Sequence, residues 1–253
     1  MLRKIRLTLA VLFFALITLL FLDFTGTLHT WFGWMAKIQF LPALLALNVG
    51  VVLALVILTL LLGRVYCSVI CPLGVFQDVV AWFSKKTKKN RYRYSPALSW
   101  LRYGVLGVFA VALVAGVHSF VALLAPYSAY GRIANNLFAP LYQWGNNLLA
   151  YLAERADSYA FYDTTVWLKS VPTFVIAAVT LVILIVLAWR GGRTYCNTIC
   201  PVGTILGFLS RYAYLKPVID TDKCINCNLC ARNCKASCID IKNHQIDYSL
   251  SLI

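Results

Sequence analysis

Four stretches of this chain stay apolar for so long that they restrict which solvent it can fold in. They run from about Ile5 to Leu22, Leu41 to Leu62, Leu101 to Leu124 and Val171 to Trp189. A helix needs about 20 residues to cross the hydrocarbon core of a bilayer. Across the 253 residues, 61% are hydrophobic and only 13% charged. Soluble domains hold roughly 45–50% apolar and about 25% charged residues. The surplus needs lipid to face, so the stretches are expected to be four transmembrane helices. The first also has the charged start of a signal peptide, Met1-Leu2-Arg3-Lys4. It lacks a small-x-small cleavage site, however, and Asp23-Phe24-Thr25 follows it directly.

The basic residues give the orientation. Arg3, Lys4 and Arg6 precede the first stretch. Lys85, Lys86, Lys88, Lys89, Arg91, Arg93 and Arg102 lie between the second and third. Arg190 and Arg193 follow the fourth, and the tail beyond is basic. The opposite loops hold only Lys37, Arg132, Arg155 and Lys169, 4 of the 23 Lys and Arg residues. The positive-inside rule places the other side in the cytoplasm, with both termini and every cysteine motif. The expected location is the inner, cytoplasmic membrane of a bacterium. The net charge of +14 then reflects topology and attraction to anionic lipid, and a nucleic-acid partner is excluded. Between the third and fourth stretches, Ala134–Ala153 reads as an interfacial or re-entrant helix. A fifth span would strand Asn135, Asn136, Gln143, Asn146 and Asn147 in lipid.

The chain repeats itself. Gly63-Arg64-Val65-Tyr66-Cys67-Ser68-Val69-Ile70-Cys71-Pro72-Leu73-Gly74 matches Gly192-Arg193-Thr194-Tyr195-Cys196-Asn197-Thr198-Ile199-Cys200-Pro201-Val202-Gly203, at a constant offset of 129 residues. Each copy follows an even-numbered stretch, and the repeat spans about 40–84 and 171–213. An apolar segment follows each copy, Val75–Phe83 and Thr204–Tyr212, and suits a surface helix. Two like-oriented two-span hairpins imply a pseudo-two-fold axis along the membrane normal, which would bring the two cysteine pairs together. The fold class is therefore an all-α membrane protein with a small C-terminal α+β segment. Its boundaries are 1–216 for the membrane domain and 217–253 for the tail.

All nine cysteines lie on the reducing side, where disulfides are rare. In the tail, Cys224, Cys227, Cys230 and Cys234 follow C-x2-C-x2-C-x3-C, the bacterial ferredoxin spacing for a [4Fe-4S] cluster. A zinc site would more often use two separated C-x2-C pairs. Lys235 stands where proline usually follows the fourth cysteine. No second ferredoxin motif follows before Ile253, so the tail reads as half of a two-cluster ferredoxin and a truncated protein is one explanation. Cys238 reads as packing, and Cys238–Ser249 as a strand-turn-strand with Asn243-His244 at the turn.

Cys67 with Cys71, and Cys196 with Cys200, are spaced one helical turn apart. Pro72 and Pro201 suit a first helical position, so an anionic centre here would meet a helix N-terminus. Arg64 and Arg193 are candidate cationic neighbours of that centre. The four thiolates are candidate ligands of a second [4Fe-4S] cluster. A redox-active dithiol and a copper or zinc site stay open as alternatives. Tyr66 and Tyr195 read as interfacial anchors. Gln77 and Asp78 are weak candidates for a quinone headgroup, and His29 and His118 read as interfacial. No nucleophile, general base or nucleotide loop stands out. Ionisable residues are nearly absent from the spans, which argues against a transporter.

Four spans, two C-x3-C-P motifs and a ferredoxin motif resemble the NapH-type membrane ferredoxins, and are similar to the membrane half of NosR-type proteins and to CcoG-type proteins. The resemblance covers nearly the whole chain. It implies electron transfer between the quinone pool and a redox partner protein, with the chain serving as the membrane subunit of a quinol dehydrogenase or other oxidoreductase complex and no stand-alone active site of its own. Carried over by residue, Cys224, Cys227, Cys230 and Cys234 match the ferredoxin ligands, and Cys67, Cys71, Cys196 and Cys200 match the paired cysteines. The family normally has two ferredoxin motifs where this chain has one. The rival reading is a metal-handling (copper) or redox-sensing membrane protein that uses the C-x3-C pairs.

Overall fold

The computed structural model describes residues 2–23, 26–87, 92, 94–96, 98–155, 162–166, 170–221, 224–225, 227–241 and 243–251. The loop cations Lys88, Lys89, Arg91, Arg93 and Lys169 lie outside these residues. The described chain is mostly helical. Two helices, Lys4–Leu22 and Val171–Gly191, have the length and composition to cross a membrane. At about 1.5 Å per residue, the 21 residues of Val171–Gly191 match a hydrocarbon core of about 30 Å. Ser170 caps this helix by accepting from the backbone N–H of Thr173. Both helices leave large apolar side chains such as Leu12 and Val182 exposed. In water, that surface would cost about 25 cal/mol per Å².

The other two apolar stretches are not continuous helices. Helix Phe40–Leu45 stops where Leu47 takes a φ of 52°. The N–H of Leu47 bonds to the carbonyl of Leu44, and that of Asn48 to the carbonyl of Ala43. This double closure around a left-handed residue is the Schellman ending. Asn48 then caps helix Val49–Leu62 by accepting from Val51 N–H. Helix Ser99–Val114 ends in the same way. Gly116 has a φ of 73°, its N–H bonds to Leu113 O, and Val117 N–H bonds to Ala112 O. Helix His118–Leu124 follows.

The first of these breaks turns the chain back on itself. Phe40 N–H donates to the Tyr66 hydroxyl at 3.0 Å, whereas a straight helix would hold Phe40 about 33 Å from Leu62. At the second, Leu124 O accepts from the Tyr195 hydroxyl at 3.4 Å. The sequence therefore overstates the second and third stretches as simple spans: each is a longer helix joined to a shorter one by a tight turn.

The outer segment also differs from expectation. Helices Pro126–Ile133 and Ala139–Glu154 are joined by a π-helical turn at Ala134–Phe138. The first is core. Tyr130 is fully buried, and its hydroxyl shares a 2.6 Å hydrogen bond with Thr18. The second leaves Leu141, Trp144 and Leu148 exposed, as an interfacial helix would. In the tail, Ile239–Asp240 and Gln245–Ile246 form the expected antiparallel pair, with His244 left-handed at the turn.

Gly104 and Gly116 test the break, since neither has an atom within 4 Å of where a Cβ would stand. Gly104 lies in helix Ser99–Val114, so Gly104→Ala should stabilise by about 0.5–1 kcal/mol. Gly116→Ala should destabilise by about 1–2 kcal/mol, the cost of a left-handed side chain. Thermal unfolding in detergent separates the two, and effects of equal sign would rule out the left-handed turn at Gly116.

Candidate metal centre

Each copy of the repeat builds the same local frame. Gly63 and Gly192, both at φ 70°, end the preceding helices. One-turn helices Val65–Val69 and Thr194–Thr198 then carry Cys67 and Cys196. They close when two consecutive N–H groups share one carbonyl: Ile70 and Cys71 bond to Tyr66 O, and Ile199 and Cys200 bond to Tyr195 O, all at 3.0 Å. Helices Pro72–Thr87 and Pro201–Ser210 follow, each with its proline at the first position. A helix boundary thus falls inside each cysteine pair, where the spacing suggests one continuous turn. Cys200 is an N-cap whose Sγ accepts from Gly203 N–H at 3.3 Å. The Cys71 thiol faces the N–H groups of Gly74 and Leu73 in the same way. Gly74 and Gly203 are required by a close approach, because a Cβ at either would overlap Cys67 O or Cys196 O.

The frame brings Cys67, Cys71, Cys196 and Cys200 together, and all four are buried. Burial pushes the Cys196 thiol up to about 11. Cys67 adds to the rise, while Arg193, Arg64 and a hydrogen bond from Gln77 oppose it. Burial also raises the Cys71 and Cys200 thiols, and cysteine neighbours from both copies, Cys196 foremost, raise them further.

The two arginines cross between copies. Arg64 is fully buried and donates to Asn197 Oδ1 (2.8 Å), Ser249 O (3.1 Å), Cys196 O (3.2 Å) and Gly203 O (2.9 Å). Arg193, equally buried, donates to Cys67 O at 3.1 Å and grips both Asp78 oxygens at 2.9 and 2.6 Å.

Three expectations are corrected here. Tyr66 and Tyr195 are buried rather than interfacial, and Tyr66 donates to Gln39 Oε1 at 2.9 Å. Gln77 is turned inward. It is fully buried and donates to Cys196 Sγ at 3.2 Å. Asp78 is held by Arg193 and by Lys235, 3.6 Å away. His29 and His118 are exposed and lie apart from the cysteines.

The tail docks on the second copy. Lys235 O accepts from Arg193 N–H, and Ala236 O accepts from Asn197 Nδ2, both at 3.1 Å. Arg102 donates to Ser249 Oγ at 3.1 Å. Neither Asn197 nor Ser249 stands out in the sequence, where Arg102 counts only as a loop cation and Lys235 only as a departure from the usual proline. The one signal for Asn197 is that it departs from Ser68 in the other copy. Cys227 and Cys230 are exposed and Cys224 is half-buried. Cys234 Sγ lies 3.3 Å from that of Cys238, which packs with Ala236 and Leu250.

Among the described residues, no three Cys, His, Asp or Glu side chains converge on one ion position. A cubane asks for something else: one thiolate per iron corner, arranged around a polyatomic body. The donor set fits that demand. Buried thiols become ligands once a metal stabilises their thiolates, and the helix N-termini and two guanidiniums favour the anionic product.

Residues 44–90 and 172–217 match a 4Fe-4S binding domain. The similarity thus occurs twice. Its two matches hold the two cysteine pairs. The chain is also similar to ferredoxin-type and electron-transport proteins. It is 25% identical to the putative electron transport protein YccM of Escherichia coli over 77% of this chain and 47% of that one. It is 25% identical to the methylamine utilization ferredoxin-type protein MauN of Paracoccus denitrificans over 68% and 48%. It is 28% identical to the ferredoxin-type protein NapH of Haemophilus influenzae over 77% and 55%. The chain thus spans about half the length of these relatives. No solved structure matches it significantly.

Asp78 offers a direct test of the site's electrostatics. Burial acts to raise its carboxyl, but Arg193 outweighs burial and holds it below the usual range. A depressed carboxyl stabilises the fold above the ordinary value of about 3.9. That contribution is lost as pH falls through the lowered folded-state value. Removing one partner of a buried pair costs about 3–5 kcal/mol, and less here because the Asp78 side chain is 21% exposed. Asp78→Asn should lower the thermal midpoint at pH 7 and weaken its acid dependence. An unchanged midpoint would show that the pair contributes nothing.

Proposed function

We propose that this chain is a membrane-bound electron-transfer protein, relaying single electrons between the quinone pool and a redox partner protein at the cytoplasmic face. Cys67, Cys71, Cys196 and Cys200 hold one [4Fe-4S] cluster, and Cys224, Cys227, Cys230 and Cys234 hold another. Such clusters supply one-electron storage. The observation that carries this reading is the meeting of four buried cysteines from two copies of one motif, both within the matched 4Fe-4S binding domain.

The protein's own residues do the remaining work. Arg64 and Arg193 place positive charge beside the anionic site, and the surrounding apolar side chains, among them Leu73, Val202 and Leu206, exclude water from it. The hydrogen bond from Asn197 Nδ2 to Ala236 O links the residue after Cys196 to the second residue after Cys234, which gives a short route between the centres. The long helices Lys4–Leu22 and Val171–Gly191, with the two folded-back helices, form the four-helix membrane domain over 1–216, and 217–253 is a ferredoxin-like tail. The excess of basic residues orients its cysteine face to the cytoplasm of the inner membrane. The quinone end of the relay rests on the resemblance to NapH-type membrane ferredoxins.

Burial disfavours the rival redox-sensing role, because thiol exchange needs an accessible thiolate. Anaerobic purification in detergent, with iron and acid-labile sulfide analysis and EPR after dithionite, tests the reading. The wild type should hold about eight irons, and Cys67→Ala with Cys196→Ala about four, with the tail signal kept. Eight irons in that double variant would remove these cysteines as ligands. A folded anaerobic sample without iron–sulfur signals would overturn the proposal.

A further inference from the structure

The two halves of the cysteine site are not electrostatically equal, and Gln77 is where they differ. Its side chain is fully buried. Its Nε2 donates to Cys196 Sγ at 3.2 Å, while its Oε1 has no hydrogen-bond partner. Leaving a buried amide oxygen unsatisfied is unfavourable, so something must favour this placement. A ligating thiolate can only accept, and an amide N–H turned toward it forms the stronger, charge-assisted kind of hydrogen bond. At the matching position of the second copy, 129 residues on, stands Leu206, which is equally buried and has no polar atom. Only one half therefore carries a side-chain donor to a cysteine sulfur at this position. The sulfur that receives it belongs to Cys196, whose neighbour Asn197 bonds to Ala236 in the tail.

We infer that Gln77 is a positioning residue that sets the reduction potential of the membrane-face centre through its hydrogen bond to Cys196. The inference rests on the ligand assignment proposed above. Reduction adds negative charge to the centre and its sulfurs, so a donor aimed at Cys196 favours the reduced state and raises the potential.

The test is an EPR-monitored redox titration of anaerobically purified protein, with iron counted in every sample. A wild type with about four irons defeats the ligand assignment itself. With about eight irons present, Gln77→Leu, which copies the other half, should make the membrane-face signal harder to reduce. The expected change is roughly tenfold in the reduction equilibrium, ~59 mV for one electron, with the tail signal unmoved. Gln77→Met removes the donor at similar length and should shift the potential in the same direction. Leu206→Gln adds a donor to the other half and should shift it the opposite way. Full iron with unmoved potentials in both Gln77 variants overturns the inference. Loss of about half the iron in both shows Gln77 to be merely structural, and overturns it equally.

Discussion

Two buried guanidiniums hold the halves of this protein in register. Desolvating a charged side chain costs several kcal/mol, and among the described residues the acceptors of each arginine lie in the other copy or the tail. Arg193 takes a carboxylate in bidentate geometry from Asp78. Arg64 takes four neutral oxygens, from Asn197, Ser249, Cys196 and Gly203. One acceptor of each arginine is the carbonyl of the first cysteine in the opposite copy. Anything that displaces a guanidinium therefore moves the backbone of a cysteine across the pseudo-axis. A lysine could not replace it, because an ammonium lacks the planar fork that reaches several acceptors at once.

The same contacts fix the sign of the site's field. Arg64 and Arg193 bring two positive charges, and Asp78 returns one negative charge that it shares between Arg193 and Lys235. Arg64 keeps its charge among dipoles. The helices that begin at Pro72 and Pro201 add their positive ends. The four cysteines thus sit where an anion is favoured and water is excluded, which suits thiolates bound to metal and penalises thiolates left free.

Much of this was legible in the residues, for identifiable reasons. Cysteine spacing and a constant 129-residue offset reveal which side chains meet, because the frame is built from local bonds repeated with the sequence. The folded-back helices were not legible. An apolar run reads as one span whether or not it turns, and the turn at Leu47 uses a leucine where a glycine would have signalled it. Gly116 did offer that signal, but a lone glycine inside an apolar stretch is ordinary in membrane helices. Tyr66 and Tyr195 were misread because a tyrosine suits an interface or a core equally. What decides between them is a partner for the hydroxyl, and Gln39 lies 27 residues from Tyr66. Gln77 and Asp78 were assigned to the membrane surface because the sequence cannot show that the second copy covers their face of the helix.

The points where the copies diverge share a physical cause. Ser68 faces Asn197 across the repeat, Asp78 faces Gly207, and Gln77 faces Leu206. Asparagine is long enough to bridge Arg64 and Ala236, while serine bonds only to Val65 O of its own turn. At Gly207, a Cβ would collide with Ser249 O and the Arg102 guanidinium, so that position must be empty for the tail to dock. Its counterpart carries a carboxylate, which the Arg193 guanidinium takes where Arg64 takes a tail oxygen. A pair of identical copies would offer two equivalent docking faces, and these differences favour one: they seat the tail backbone beside Cys196 and Cys200, while its Lys235 reaches across to Asp78 of the first copy.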